Sequence, residues 1–155
     1  MGIGAELLLA KYLGRAPEYK VDGFGKPYGE QVEFNFSHSG SIALCVVSEK
    51  TVGADVEKIR DVNLEKKKKK FCKREFEDII NSKNPKVAFF EYWVKKESYV
   101  KALGTGFKTA LNEFDVGKIS DFDFHTHSFG EYKMCVCAKE FAKYYIVGTE
   151  DFSCL

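Results

Sequence analysis

Two stretches of this chain pass through the same series of signals in the same order. Lys11-Tyr12-Leu13-Gly14 returns as Lys101-Ala102-Leu103-Gly104, each reading as the end of a helix. Phe34-Asn35-Phe36-Ser37-His38-Ser39 returns, with one residue inserted, as Phe122-Asp123-Phe124-His125-Thr126-His127-Ser128. Leu44-Cys45-Val46-Val47-Ser48 matches Met134-Cys135-Val136-Cys137-Ala138, and Val52-Gly53-Ala54-Asp55 matches Val147-Gly148-Thr149-Glu150. Four matches in order predict two halves of similar fold, each a helix followed by three strands. The 155 residues suit one domain made of two tightly joined halves, about 1–60 and 85–155, with a helical connector over 61–84.

Local patterns fill in this outline. Residues 3–13 read as a helix stopped by Gly14, and Glu18 to Val21 as a short strand. Asp22-Gly23-Phe24-Gly25-Lys26-Pro27 has loop chemistry. The alternation over 32–36 predicts a strand with Val32, Phe34 and Phe36 on one face, and the apolar run 42–47 predicts a buried one. A third strand spans 52–57. Residues 64–82 read as one or two helices, and Pro85 suits the start of another that runs to about Leu103. Strand-like stretches follow at 113–119, at 121–124 leading into 132–138, and at 144–149. The class is α+β with antiparallel hairpins.

Bulk properties exclude several functions. With 24 basic and 23 acidic residues the net charge is +1, so no excess of base marks a nucleic-acid partner. Five cysteines, an odd number with no C-x-x-C, read as reduced, packed thiols of a cytoplasmic protein. Cys135 and Cys137 with His125 and His127 could form a zinc set, but their period-2 spacing suits strand packing better. The N-terminal apolar run is interrupted by Glu6 and stopped by Lys11, and no segment is long enough to span a bilayer.

Five groups of residues could carry chemistry or meet a partner. Asp55 and Glu57 are two apart on a strand and so share a face. Carboxylates this close repel unless a cation joins them, and a hard oxygen-seeking ion such as Mg²⁺ would do so. Two solvated acids on a strand edge would look the same. Trp93, Glu97 and Lys101 share one helical stripe, which suits either a site or an ordinary Glu–Lys pair. His38, among Ser37, Ser39 and Gly40 just after a strand, suits a phosphate-contact loop or a polar turn. Lys26-Pro27 is a further candidate contact. The run Lys66–Lys70 is either a solvated face or an attractor for an acidic partner.

Taken together, Gly25-Lys26-Pro27, Asn35-Phe36-Ser37-His38-Ser39, Gly53-Ala54-Asp55-Val56-Glu57 and Trp93 through Lys101, then Gly104-Thr105-Gly106, resemble the motifs of the 4′-phosphopantetheinyl transferase superfamily. The closer resemblance is to the two-halved type that activates peptide synthetases. Ala54 departs from its usual branched apolar residue.

The resemblance implies a fold of two pseudo-equivalent halves, each a helix on a small, mostly antiparallel sheet. It implies transfer of 4′-phosphopantetheine from coenzyme A to a serine of an apo acyl or peptidyl carrier protein, with release of 3′,5′-ADP. Mg²⁺ or Mn²⁺ would sit on Asp55, Glu57 and Glu97, and Lys101, with Lys96 nearby, would offset charge on the leaving group. Lys26, Pro27, Ser37 and His38 would hold the nucleotide end. Glu97 would be the base, directly or through water. A monomer is expected, since both halves of the site lie in one chain. The lysine run, with Phe71 and Phe76, would be the docking surface for an acidic carrier.

The chain opens inside the first helix of the two-halved type, so a shortened member is expected. It would lack a first strand and basic side chains for the 3′-phosphate. Two alternatives stand beside this reading. One is a catalytically impaired homologue that only binds carrier protein or coenzyme A. The other, more remote, is a metal-dependent nuclease.

Overall fold

The computed structural model describes residues 3–149, so Cys154 and the Glu150 end of the last repeat match lie outside the described residues. Helix α1 (Ile3–Leu13) is followed by a two-residue hairpin, β1 (Lys20–Val21) with β2 (Pro27–Tyr28). Strands β3 (Glu33–Ser39), β4 (Ile42–Ser48) and β5 (Val52–Lys58) come next. The connector holds α2 (Leu64–Lys67), a 3₁₀ turn at Lys68–Lys70, and α3 (Lys73–Asn81). Helix α4 (Pro85–Leu103) is the longest of the described elements, and β6 (Phe122–Phe129), β7 (Tyr132–Lys139) and β8 (Tyr144–Gly148) are the last of them.

The strands form two antiparallel three-stranded sheets, in the orders β3-β4-β8 and β5-β7-β6. Each sheet takes its third strand from the other half of the chain. β5 leaves β4 to lie on β7, and β8 leaves β7 to lie on β4. The connections making these crossings are short, 49–51 and 140–143, so each third strand passes directly from one layer into the other. Neither sheet is therefore built by one half alone.

The inner faces of the two sheets close on Leu44, Val46, Val52, Ala54, Val56, Met134 and Val136. The outer face of the first sheet packs Phe34, Phe36, Cys45 and Val47 under Leu8 and Leu9 of α1. Helix α4 lies over the second sheet, and its far side carries a cluster of Phe71, Phe76, Ile79, Phe89 and Phe90 from the connector and the helix. Cys135 and Cys137 are buried along β7, with Cys45 buried on β4; these and Cys72 are free thiols.

Two local expectations need correction. The stretch 113–119 is not a strand. It holds the 3₁₀ turns Leu111–Glu113 and Val116–Lys118, with Asp115 accepting a hydrogen bond from the Gly117 N–H. Side chains from the helices occupy its backbone: the Leu111 and Phe114 carbonyls accept from Lys96, and the Val116 N–H donates to Glu75. No ladder partner is left to it. Second, His38 lies within β3, opposite Ala43, and not in a loop after the strand.

Among the described glycines, Gly53 marks the closest approach. A Cβ placed there would meet the Ser98 carbonyl oxygen at 2.0 Å and the Ala102 nitrogen at 2.4 Å. Both are α4 backbone, which cannot rotate away. Ser98 and Ala102 are themselves small and fully or almost fully buried, so helix and strand meet backbone to backbone. Gly53→Ala should lower stability to chemical denaturation by about 2 kcal/mol or more, since overpacking a rigid contact forces the elements apart. Gly23→Ala, at a glycine with open space around it, should change it by ~0.5 kcal/mol or less.

Candidate functional site

The close seat of α4 on β5 brings Asp55 and Glu57 under Glu97 and Lys101. Asp55 is 6% exposed, and its Oδ1 accepts from Lys101 Nζ at 2.7 Å and from Ser37 Oγ at 3.1 Å. Its other oxygen, Oδ2, is buried with no hydrogen-bond partner. Glu57 Oε2 accepts from Arg60 at 3.0 Å and from Ser39 at 3.2 Å. Burial pushes the Glu97 carboxyl up, and the charge of Asp55 pushes it further, while Lys101 pulls it back. Asp55 is raised in the same way, by burial first, against the pull of Lys101.

Three carboxylates thus share one end of α4 with a single ammonium, Lys101, among them. An unsatisfied buried carboxylate oxygen is costly unless something joins it. An all-oxygen set of this kind has the chemistry to hold a hard divalent cation. Another group of ligand atoms, Cys72, Glu75 and Asp115, differs in this respect. There Lys96 pairs with Glu75 and Arg74 with Asp115, so the acids are already compensated.

Asn35, Ser37 and Ser39 stand two apart on one face of β3. Asn35 Oδ1 accepts from the Ala54 N–H at 3.1 Å, Ser37 Oγ from Val56 at 3.1 Å, and Ser39 Oγ from Lys58 at 2.9 Å. These are the N–H groups that the edge strand β5 turns away from β7. Side chains of β3 therefore join the two sheets where a backbone ladder would otherwise run. Asn35 and Ser39 enter the sequence reading only as members of the 35–39 motif, although their alternation with Ser37 carries the signal of a shared strand face. Ser37, expected at the nucleotide, is 6% exposed and is engaged by Asp55, Val56 and Lys101. It orients Asp55.

A cavity of ≈ 550 Å³ opens beside the carboxylates. Glu97 and Lys101 line it, with Lys26 and Pro27 from the hairpin and Lys69 and Lys70 from the connector. Lys26 Nζ donates to the Ala102 carbonyl at 2.7 Å, which ties the hairpin to the C-terminal end of α4. Its aliphatic chain crosses Gly104, where a Cβ would sit 2.8 Å from Lys26 Cδ. Gly104 also takes the left-handed conformation that ends the helix, φ 67°. The far end of the lysine run thus belongs to the cavity wall. Lys67 and Lys68 instead lie over the Trp93 and Phe76 rings. His38 is exposed on β3 and is not among the cavity-lining residues.

Lys96 does not join this cluster. Successive helical residues point about 100° apart, so Lys96 faces away from the side that carries Glu97. Its side chain is 0% exposed and its ammonium donates to Leu111 O at 2.6 Å and Phe114 O at 2.7 Å, with Glu75 Oε2 at 2.7 Å. All three of its donors have partners, so it has none to offer a coenzyme A phosphate. Lys58, next to Glu57 on β5, pairs with Glu131 at 3.4 Å.

Comparison with known proteins gives these features a context. A family model described as the 4′-phosphopantetheinyl transferase superfamily matches residues 51–153. The 4′-phosphopantetheinyl transferase gsp of Aneurinibacillus migulanus is 32% identical over 73% of this chain and 52% of its own length. A 4′-phosphopantetheinyl transferase of Bacillus subtilis is 32% identical over 83% of this chain and 67% of its own. The 4′-phosphopantetheinyl transferase Sfp of Bacillus subtilis (strain 168) is 30% identical over 77% and 62%. The chain spans between about half and two thirds of the length of these relatives. The family match covers most of the chain and includes β5, α4 and the carboxylates they bring together. On these grounds the chain belongs to the 4′-phosphopantetheinyl transferase superfamily.

Proposed function

We propose that this protein transfers the 4′-phosphopantetheine group from coenzyme A to a serine of an apo acyl or peptidyl carrier protein and releases 3′,5′-ADP. The observation that carries this reading is the meeting of Asp55, Glu57, Glu97 and Lys101 beside a cavity whose wall holds Glu97, Lys101, Lys26, Lys69 and Lys70. Carboxylates for a cation beside ammonium groups for phosphates suit a diphosphate substrate.

In the reaction the carrier's serine oxygen bonds to the phosphorus that bears the pantetheine arm. The bond from that phosphorus to the bridging oxygen breaks, and its electron pair leaves with 3′,5′-ADP. Glu97 takes the serine proton. Lys101, held by Asp55 and Ser37, offsets negative charge on the departing diphosphate oxygen. Lys26, Lys69 and Lys70 hold phosphate oxygens, and Pro27 shapes the adjoining wall. Asp55, Glu57 and Glu97 would hold Mg²⁺ or Mn²⁺, which would supply positive charge to offset that of the diphosphate. Ser37 acts through Asp55.

The same reading makes the chain one two-halved domain that works as a cytoplasmic monomer with no nucleic-acid partner. No helix among the described residues is long and apolar enough to cross a membrane.

Incubation with an apo carrier protein, coenzyme A and Mg²⁺ should add the mass of one phosphopantetheine to the carrier, read by intact-mass spectrometry. Chelation with EDTA should stop the gain, and Mg²⁺ or Mn²⁺ should restore it. No gain under any of these conditions, with coenzyme A still bound, would leave a binding protein in place of a transferase. Asp55→Ala should lower the rate by roughly 10²–10³-fold or more while the circular dichroism spectrum stays unchanged. A normal rate would remove Asp55 from the site.

The carrier surface has its own test. Lys69 and Lys70 line the cavity, so Lys66, Lys67 and Lys68, exposed outside it, are the part of the run that would meet an acidic carrier. Replacing these three by Gln should raise the KM for the carrier at low salt and leave the KM for coenzyme A unchanged. Equal carrier KM values would return these lysines to an ordinary solvated face.

A further inference from the structure

One wall of the cavity comes from the segment between α4 and β6, where Thr109, Ala110, Leu111 and Asn112 line it. This segment has no sheet partner and only short 3₁₀ turns, so its own backbone holds it weakly. Its position is set from outside. Lys96 ties down the Leu111 and Phe114 carbonyls, and its ammonium sits 4.1 Å from the centre of the Phe114 ring. Glu75 Oε1 accepts the Val116 N–H at 3.0 Å, and its Oε2 faces Lys96 at 2.7 Å and accepts the Cys72 N–H at 3.1 Å. Both side chains are 0% exposed. Arg74, farther out, clamps Asp115 of the same segment with two donors.

A buried ion pair is a poor source of stability, because desolvating the two charges offsets most of their attraction. Here, though, nearly every hydrogen-bonding group of the pair is spent on backbone, at Leu111 of the cavity wall, at Phe114 and Val116 just beyond it, and at the N-cap of α3. Such a pair specifies where a loop lies.

We propose that Lys96 and Glu75 are positioning residues that hold the 109–116 wall against the coenzyme A cavity, so that Lys96 acts on coenzyme A binding without touching it. This rests on the functional reading above. The two residues work as one device: removing either releases the wall, and removing the second adds little. A lysine that met a phosphate directly would behave otherwise, since its effect would not depend on Glu75.

The test is a double-mutant cycle on the full chain with Glu75→Gln, Lys96→Met and both together. Coenzyme A binding is followed by calorimetry, and the wall by trypsin cleavage after Lys108 and Lys118. Each single variant should weaken coenzyme A binding by roughly tenfold or more. The double variant should be no weaker than the weaker single one, and all three should be cleaved faster than the parent chain. In the transfer assay the KM for coenzyme A should rise while kcat at saturating coenzyme A stays within about twofold.

Weakened binding in Lys96→Met with unchanged binding in Glu75→Gln would overturn the proposal and make Lys96 a direct ligand. Unchanged coenzyme A binding in both, with only a lower melting temperature, would overturn it in favour of a purely structural pair. If Lys96→Met does not fold, the isosteric Glu75→Gln and the partly exposed Arg74→Ala decide the matter, because both should loosen the wall and weaken binding in the same direction. A parent chain that binds no coenzyme A would defeat the functional reading, while the cleavage pattern would still report whether the pair holds the wall.

Discussion

The backbone contact of α4 with β5 at Gly53 is the constraint on which the rest of the site depends. A side chain of any size at position 53 would separate the helix from the strand. Asp55 and Glu57 lie on the strand, and Glu97 and Lys101 on the helix, so their spacing is the spacing of those two elements. The 2.7 Å contact from Lys101 to Asp55 exists because nothing stands between the backbones one turn away. The glycine, the small Ser98 and the small Ala102 therefore belong to the chemistry, although none of them carries a functional group to a substrate.

The second organising feature is the exchange of third strands between the halves. A strand that crosses into the other sheet becomes an edge, and an edge exposes unpaired N–H groups. For β5 these groups are met by Asn35, Ser37 and Ser39 of β3. One alternating row of side chains thus seals the seam between the sheets, and its middle member, Ser37, reaches through to Asp55 and Lys101. Site geometry and sheet assembly are joined at that hydroxyl. A change at Ser37 would act on both, which is a physical reason for a small hydroxyl rather than a larger polar group at that point.

Much of this was legible before any coordinates. The 3.6-residue pattern, Pro85 and Gly104 delimited α4, and the alternating and continuous apolar runs located β3, β4, β5 and β7. The shared face of Asp55 and Glu57 follows from strand periodicity alone. What failed did so for identifiable reasons. The 113–119 stretch has strand-like composition, but its backbone groups are taken by Lys96 and Glu75, partners that lie 15 or more residues away in sequence. Lys96 adjoins Glu97 in sequence, yet the turn of the helix sends it to a different compartment. Ser37 and His38 are neighbours as well, and strand alternation buries the first and exposes the second.

By itself the sequence determined the class of fold, the order and ends of most elements and the set of acids and lysines able to do chemistry. Those depend on local dihedral preferences and on periodicity, which neighbouring residues express directly. Tertiary structure alone decided which sheet each third strand would join, which lysines would face the cavity and which would be buried as anchors. These are matters of contact between segments far apart in the chain. Their outcome turns on a glycine that lets two backbones touch and on an ion pair whose partners come from different helices.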